Sequence, residues 1–237
     1  MNRPKKITPW WGILPVAILL ALWEGAARLN LMPGHLFLPP FSVVMREFYH
    51  LIASGVLVEN FLSSLVRVVI GFCAGSIVGL IIGTLMGSRE VLNKTFSPII
   101  SLLYPIPALG WLPLLMLWIG VNEMLPIAII FICSFFPILY NTITGIREVD
   151  KELINTARTL GASDRYILIR VVLPLAVPNI FTGLQLEAGM AWRVVIAAEM
   201  VAIPTGIGAL MMRAESLCSG GHYHRVPDCP FDDVPSL

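Results

Sequence analysis

From Asn60 to Gly87 the chain is one apolar run whose only charged side chain is Arg67. A helix over that run rises 1.5 Å per residue, enough to cross a hydrocarbon core of about 30 Å. Three more runs of this character cover roughly Pro98–Ile119, Leu125–Ile146 and Leu173–Ile203, and an earlier one covers 10–29. Composition agrees. Charged residues make up 13% of the chain, half of the roughly 25% with which a soluble domain covers its surface. The remaining surface must face lipid. The expected fold is all-α: a polytopic transmembrane helical bundle of about five spans, multi-pass in a cell membrane.

Arg3, Lys5 and Lys6 precede the run at 10–29, so a cleaved secretory leader competes with a first span. No small-x-small cleavage site directly follows the run, and Glu24 and Arg28 stand four apart on one helix face, able to pair and carry the span to Leu29. Pro33, Gly34, Pro39 and Pro40 make 31–42 a loop. The mixed polarity of Val43–Ser54 suits a short helix lying at the interface. Basic residues then set the orientation. With the N-terminus inside, Arg89, Lys94, Arg147, Lys151, Arg158, Arg165 and Arg170 all fall on the inner side, and 146–172 is cytoplasmic. Gly71, Gly75, Gly79, Gly83 and Gly87, spaced by four, form a flat stripe for close helix packing.

Other classes find no support. The net charge of +1 and the lack of a long basic run argue against nucleic acid. Cys73 and Cys133 sit in apolar runs as small packing residues, and no CxxC occurs. No HExxH, GxSxG or GxxxxGK[ST] is present, so the chain is not expected to be an enzyme, to hold a metal or cofactor, or to bind ATP itself. Any ATP-driven mechanism requires a partner chain.

The most informative segment is 150–183. Lys151–Leu160 reads as a short amphipathic helix with Leu153, Ala157 and Leu160 at helical spacing. Gly161 supplies a left-handed stop. Ser163 caps a second helix whose dipole Asp164 complements. A rigid helix of this kind, joined to a membrane span, can sit in a partner's groove and transmit force. Asn155-Thr156-Ala157, three residues, Gly161, nine residues and then Val171-Val172-Leu173-Pro174 resembles the EAA, Gly, I-x-L-P pattern of ABC importer permeases, with Asn155, Thr156 and Val171 replacing the pattern's Glu, Ala and Ile. TLGAS at 159–163, LPLAVPNIFTGL at 173–184 and the AW, VV and AAEM of 191–200 resemble the nitrate/sulfonate/taurine-type branch.

The resemblance covers about residues 10–217. It implies a permease domain over 1–217 with a coupling helix at about 150–164, in which Glu152, Asn155, Thr156, Ala157, Gly161, Ala162, Ser163, Leu173 and Pro174 meet a separate ATPase. It also implies a second permease copy as homodimer partner, an extracytoplasmic substrate-binding protein, and a small anion such as nitrate, sulfonate or taurine as solute. The alternative is an ion-gradient-driven secondary transporter, which would show inverted repeats with paired broken helices; none is visible.

Arg67, Glu187, Arg193 and Glu199 lie within predicted spans, where an ionisable group costs about 2.5–3.5 kcal/mol on insertion scales. Structural pairing and a place in the translocation path are the two readings. Glu199 and Arg67 also have the option of snorkelling to the interface. After Leu217 the composition shifts, and the sixth span of the resembled family is not found. Residues 218–237 are expected to be a disordered or frame-shifted tail rather than a metal site built from Cys218, His222, His224, Asp228 and Cys229.

Overall fold

The structure, a computed structural model, describes residues 10–29 and 39–220. The basic N-terminus, most of the expected loop at 31–42 and the tail beyond residue 220, with His222, His224, Asp228 and Cys229, lie outside the described residues. The chain divides into two units, residues 1–58 with 215–237 and residues 59–214.

In the first unit α1 (Trp10–Arg28) precedes α2 (Phe41–Ala53). Pro40, the residue before α2, offers no side-chain cap. Glu24 of α1 takes that role by accepting from the backbone N–H of Ser42 at 3.1 Å and from its hydroxyl at 2.9 Å. Arg28 closes the expected i,i+4 pair on the same carboxylate at 2.7 Å.

The second unit is built on α3 (Val56–Ser88), α6 (Met124–Arg147) and α9 (Leu173–Ala202). The glycine stripe of α3 lies against α6 in parallel register. A Cβ on Gly71 would stand 2.8 Å from the Ile127 carbonyl oxygen, one on Gly75 2.7 Å from that of Phe131, and one on Gly83 2.7 Å from Cβ of Thr142. Glycine is required because carbonyl oxygens and Cβ atoms fixed to the α6 backbone, rather than the free ends of movable side chains, occupy the space. α9 returns antiparallel on α6, and two glycines seat two asparagines reciprocally: Gly145 against Asn179 and Gly183 against Asn141, each 2.9 Å from a hypothetical Cβ. Leu125, Ile129 and Ile130 of α6 and Ala191, Val195 and Ala198 of α9 are fully buried between them.

The expected span at Pro98–Ile119 needs correction. The chain forms α4 (Glu90–Leu103), breaks, and resumes as a 3-10 turn (Ala108–Trp111) running into α5 (Leu112–Ile119), with an 88° bend between the arms. Pro105 and Pro107 remove two backbone donors and disfavour helix in the residues before them. Tyr104 at the break stacks on Tyr140 of α6 with ring centroids 5.2 Å apart. Among the described residues, three helical stretches are long and apolar enough to cross a membrane (Val56–Ser88, Met124–Arg147 and Asp164–Ala202), or four if the bent pair is one span. The connection from α6 to α9 contains α7 (Lys151–Thr159) and α8 (Asp164–Ile167), and α10 (Ile207–Gly220) follows α9.

Candidate functional site

Between α6 and α9 the backbone is closed by its own hydrogen bonds. Asp150 caps α7 by accepting from the Glu152 N–H at 2.9 Å. At the other end Gly161 has φ 84°. Its N–H donates to Arg158 O at 2.9 Å, and the Ala162 N–H donates to Ala157 O at 3.1 Å. These two bonds are the Schellman pair, and Ala157 and Ala162 both pack on the apolar cluster that holds Ile146, Val149 and Ile167. The Ala and Gly of the sequence pattern are thus explained: Ala157 is small and offers the carbonyl, and Gly161 takes the backbone angle. Ser163 caps α8, accepting from the Tyr166 N–H at 3.3 Å, and Arg158 bridges to Asp164 at 2.9 Å across the turn.

The buried face of α7 differs from the expected one. Ile154 and Ala157 pack on Ile146, Val149 and Ile167, whereas Leu153 is 49% and Leu160 82% exposed. Glu152, Asn155 and Thr156 are exposed with them.

α8 runs into α9 through a π-helical turn, Leu168–Val172, where the Leu173 N–H donates to Leu168 O five residues back. In an unbroken α-helix the ring of Pro174 would collide with the carbonyl of Arg170; the wider turn carries that carbonyl aside. Leu173 packs beside this turn. The stretch Asp164–Ala202 is therefore one continuous rod with a single irregular turn, and α7 is joined to it through the turn at Gly161.

The four intramembrane charges separate into two groups. Arg67 is 4% and Glu199 1% exposed, which excludes snorkelling for both. Arg67 Nη1 lies 2.6 Å from Glu199 Oε1, and its Nη2 lies 2.6 Å from Oε2 of Glu123. Its Nε also donates to Glu123 Oε2 at 2.7 Å, and Nη1 and Nη2 reach Thr205, the carbonyl at 3.0 Å and the hydroxyl at 2.5 Å. Glu199 also accepts from the Ser64 hydroxyl at 2.8 Å and from the Gly208 N–H at 3.1 Å. This knot ties α3, the start of α6 and the α9–α10 turn together at the end of the bundle away from α7. Glu123, Ser64 and Thr205 were missed in the sequence because separations of 56 to 138 residues carry no local signal. Glu187 lies elsewhere, against α6, where the Cys133 thiol donates to it at 3.7 Å. Arg193 is exposed on α9, with Met190 Sδ 3.6 Å from its Nη1.

Comparison with known proteins follows the same lines. Residues 75–217 match the family model described as binding-protein-dependent transport system inner membrane component. A protein of Methanocaldococcus jannaschii described as an ABC transporter permease is 46% identical over 177 residues, which is 74% of this chain and 66% of that relative. The aliphatic sulfonates transport permease protein SsuC of Bacillus subtilis is 34% identical over 86% of this chain and 73% of its own length. Among solved structures, one of the MetNI methionine ABC transporter in inward-facing conformations aligns with a TM-score of 0.59 at 18% identity, covering 71% of this chain and 83% of that one. The last likeness is one of fold.

Proposed function

Because this chain belongs to the family of binding-protein-dependent transport system inner membrane components, in its nitrate, sulfonate and taurine branch, we propose that residues 150–164 are the lever by which a separate ATPase drives it. The chain is a multi-pass membrane protein and the membrane-spanning permease subunit of an ATP-driven importer. Its family is one of transport permeases, and membership brings with it an ATPase and a substrate-binding protein. An ion-gradient-driven transporter is not favoured. On the proposed reading the permease pairs with a second copy, α7 sits on the cytoplasmic face in a groove of the ATPase, and closure of the ATPase moves α7 and, through the closed turn at Gly161, the rod formed by α8 and α9. The solute proposed is a small oxyanion, and the relative from Bacillus subtilis is named for aliphatic sulfonates.

The observation that carries the lever is the pairing of a locked backbone with an unpartnered apolar face. α7 is held by its Schellman closure and by Ile154 and Ala157, so the exposure of Leu160 does not arise from looseness. An apolar side chain held out on a rigid element is what a partner's pocket takes as an anchor. Glu152, Asn155 and Thr156 then form the polar rim of the contact.

Two substitutions test the reading. Leu160→Asp leaves the permease fold intact, since that side chain touches little of its own chain, and is expected to weaken co-purification with the ATPase about tenfold, the effect of losing roughly 1.4 kcal/mol at an anchor. Gly161→Pro is expected to abolish co-purification, because proline holds φ near −65° where +84° is needed and has no N–H for Arg158 O. Full ATPase association in both variants, with normal membrane levels, would remove the lever.

A further inference from the structure

We propose that the face of α9 bearing Thr182, Gln185, Gly189 and Arg193 lines the solute's path, and that the solute's oxyanion group rests over the open backbone of Gly189, between the Gln185 amide and the Arg193 guanidinium. This rests on the importer reading above and deepens it to a site.

The four residues follow one another at steps of three, four and four. At 100° per residue they fall within about 80° of one another, a single stripe along the rod. All four are exposed, on the side of α9 turned away from Ala191, Val195 and Ala198, which are buried against α6. A guanidinium turned toward hydrocarbon costs about 2.5–3.5 kcal/mol on insertion scales, so such a stripe faces water or protein. Arg67 shows how this chain treats a cation that serves its own fold: both of its guanidinium ends meet carboxylates. Arg193 meets none among the described residues, its one recorded partner being a thioether. Gln185 has no side-chain partner among them either.

Gly189 decides where the anion sits. Gly71, Gly75 and Gly83 are glycine because a neighbouring helix fills the space, whereas a Cβ on Gly189 would meet nothing within 4 Å. This glycine packs against nothing and has ordinary helical surroundings, so its contribution is the absence of a side chain. One turn away on either side, about 6 Å along the axis, stand an amide donor and a forked cation, whose N–H groups match two oxygens of a planar or tetrahedral oxyanion. The nearby carboxylate is kept off this face: Glu187 is about 200° round the helix from Gly189 and lies against Cys133.

The test uses the permease co-expressed with its own ATPase and binding protein in membrane vesicles, with nitrate, taurine and methanesulfonate as probes. Gly189→Phe is expected to cut ATP-dependent uptake at least tenfold, and Gly189→Ala to cut it less, with ATPase association and the number of permease copies per complex unchanged. Arg193→Gln is expected to raise the half-saturating probe concentration more than it lowers the maximal rate. In a background with Cys73, Cys133, Cys218 and Cys229 replaced by alanine, Gly189→Cys is expected to react with a negatively charged, membrane-impermeant thiol reagent, more slowly when a transported probe is present. Normal uptake by Gly189→Phe, or a cysteine inert to the reagent, overturns the site by placing the stripe in lipid. Separation of the permease copies in Gly189→Phe overturns it by placing the stripe at their interface. Failure of the importer reading would show differently, as uptake by the unaltered complex that does not depend on ATP.

Discussion

Replacing Arg67 by alanine is expected to destabilise the bundle by about 3–5 kcal/mol, the range seen when one partner of a buried ion pair is removed. The loss is not that of a salt bridge alone. Without the guanidinium, the Glu199 carboxylate stays 1% exposed with only the Ser64 hydroxyl and the Gly208 N–H to hold its charge. Its substitution partners differ in a way that makes the expectation checkable. Glu199→Gln should cost less, because Gln still accepts from Ser64 and Gly208 and Arg67 still has Glu123. Glu123→Ala should cost least, within about 1 kcal/mol, since the Glu123 side chain is 64% exposed and water replaces it. Reversible unfolding of the detergent-solubilised protein gives the order directly. Equal losses for Arg67→Ala and Glu123→Ala would show that the knot is not a buried charge network.

Gly75→Leu is expected to abolish the folded bundle, with little full-length protein surviving in the membrane. Even the first carbon of the new side chain would stand 2.7 Å from the Phe131 carbonyl oxygen and 3.1 Å from Ser134 Cβ. Neither can move without displacing α6. Overpacking a well-filled core by a methylene or so costs about 1–3 kcal/mol. A leucine adds four carbons at one of the two tightest contacts of the stripe, so α3 and α6 must part along their length. Folded yield after size-exclusion chromatography reads this out, and Gly189→Leu on α9, where the space is open, serves as the control. A normal yield for Gly75→Leu would mean that α3 does not lie on α6 as described.

Much of this was legible because the bilayer leaves few choices. Long apolar runs must be helices that satisfy their own backbone groups, and glycines every four residues must accept another helix. The closure of α7 was legible as well, since Gly161 and Ser163 act on neighbours within five residues, and both the left-handed turn and the cap are present. The bend at 104–107 was missed although Pro105 and Pro107 announce it. Hydropathy averaged over a window weighs the apolar neighbours and ignores the lost N–H groups. The outward turn of Leu153 and Leu160 was missed for another reason: periodicity finds a face of α7 but does not say which side the rest of the chain occupies.

The sequence by itself determined the material of the molecule: helices, their approximate lengths, the lipid as solvent, and the local stops and caps of 150–164. Those depend on hydropathy and on contacts a few residues apart. Only the tertiary structure decided the fate of the four intramembrane charges. The residues that hold Arg67, two carboxylates and a threonine, come from chain positions 123, 199 and 205, and proximity across such distances is created by the packing of α3, α6 and α9. The same packing sorted the glycines, which look alike in sequence, into those that seat a helix and those, Gly189 on α9 among them, that face open space.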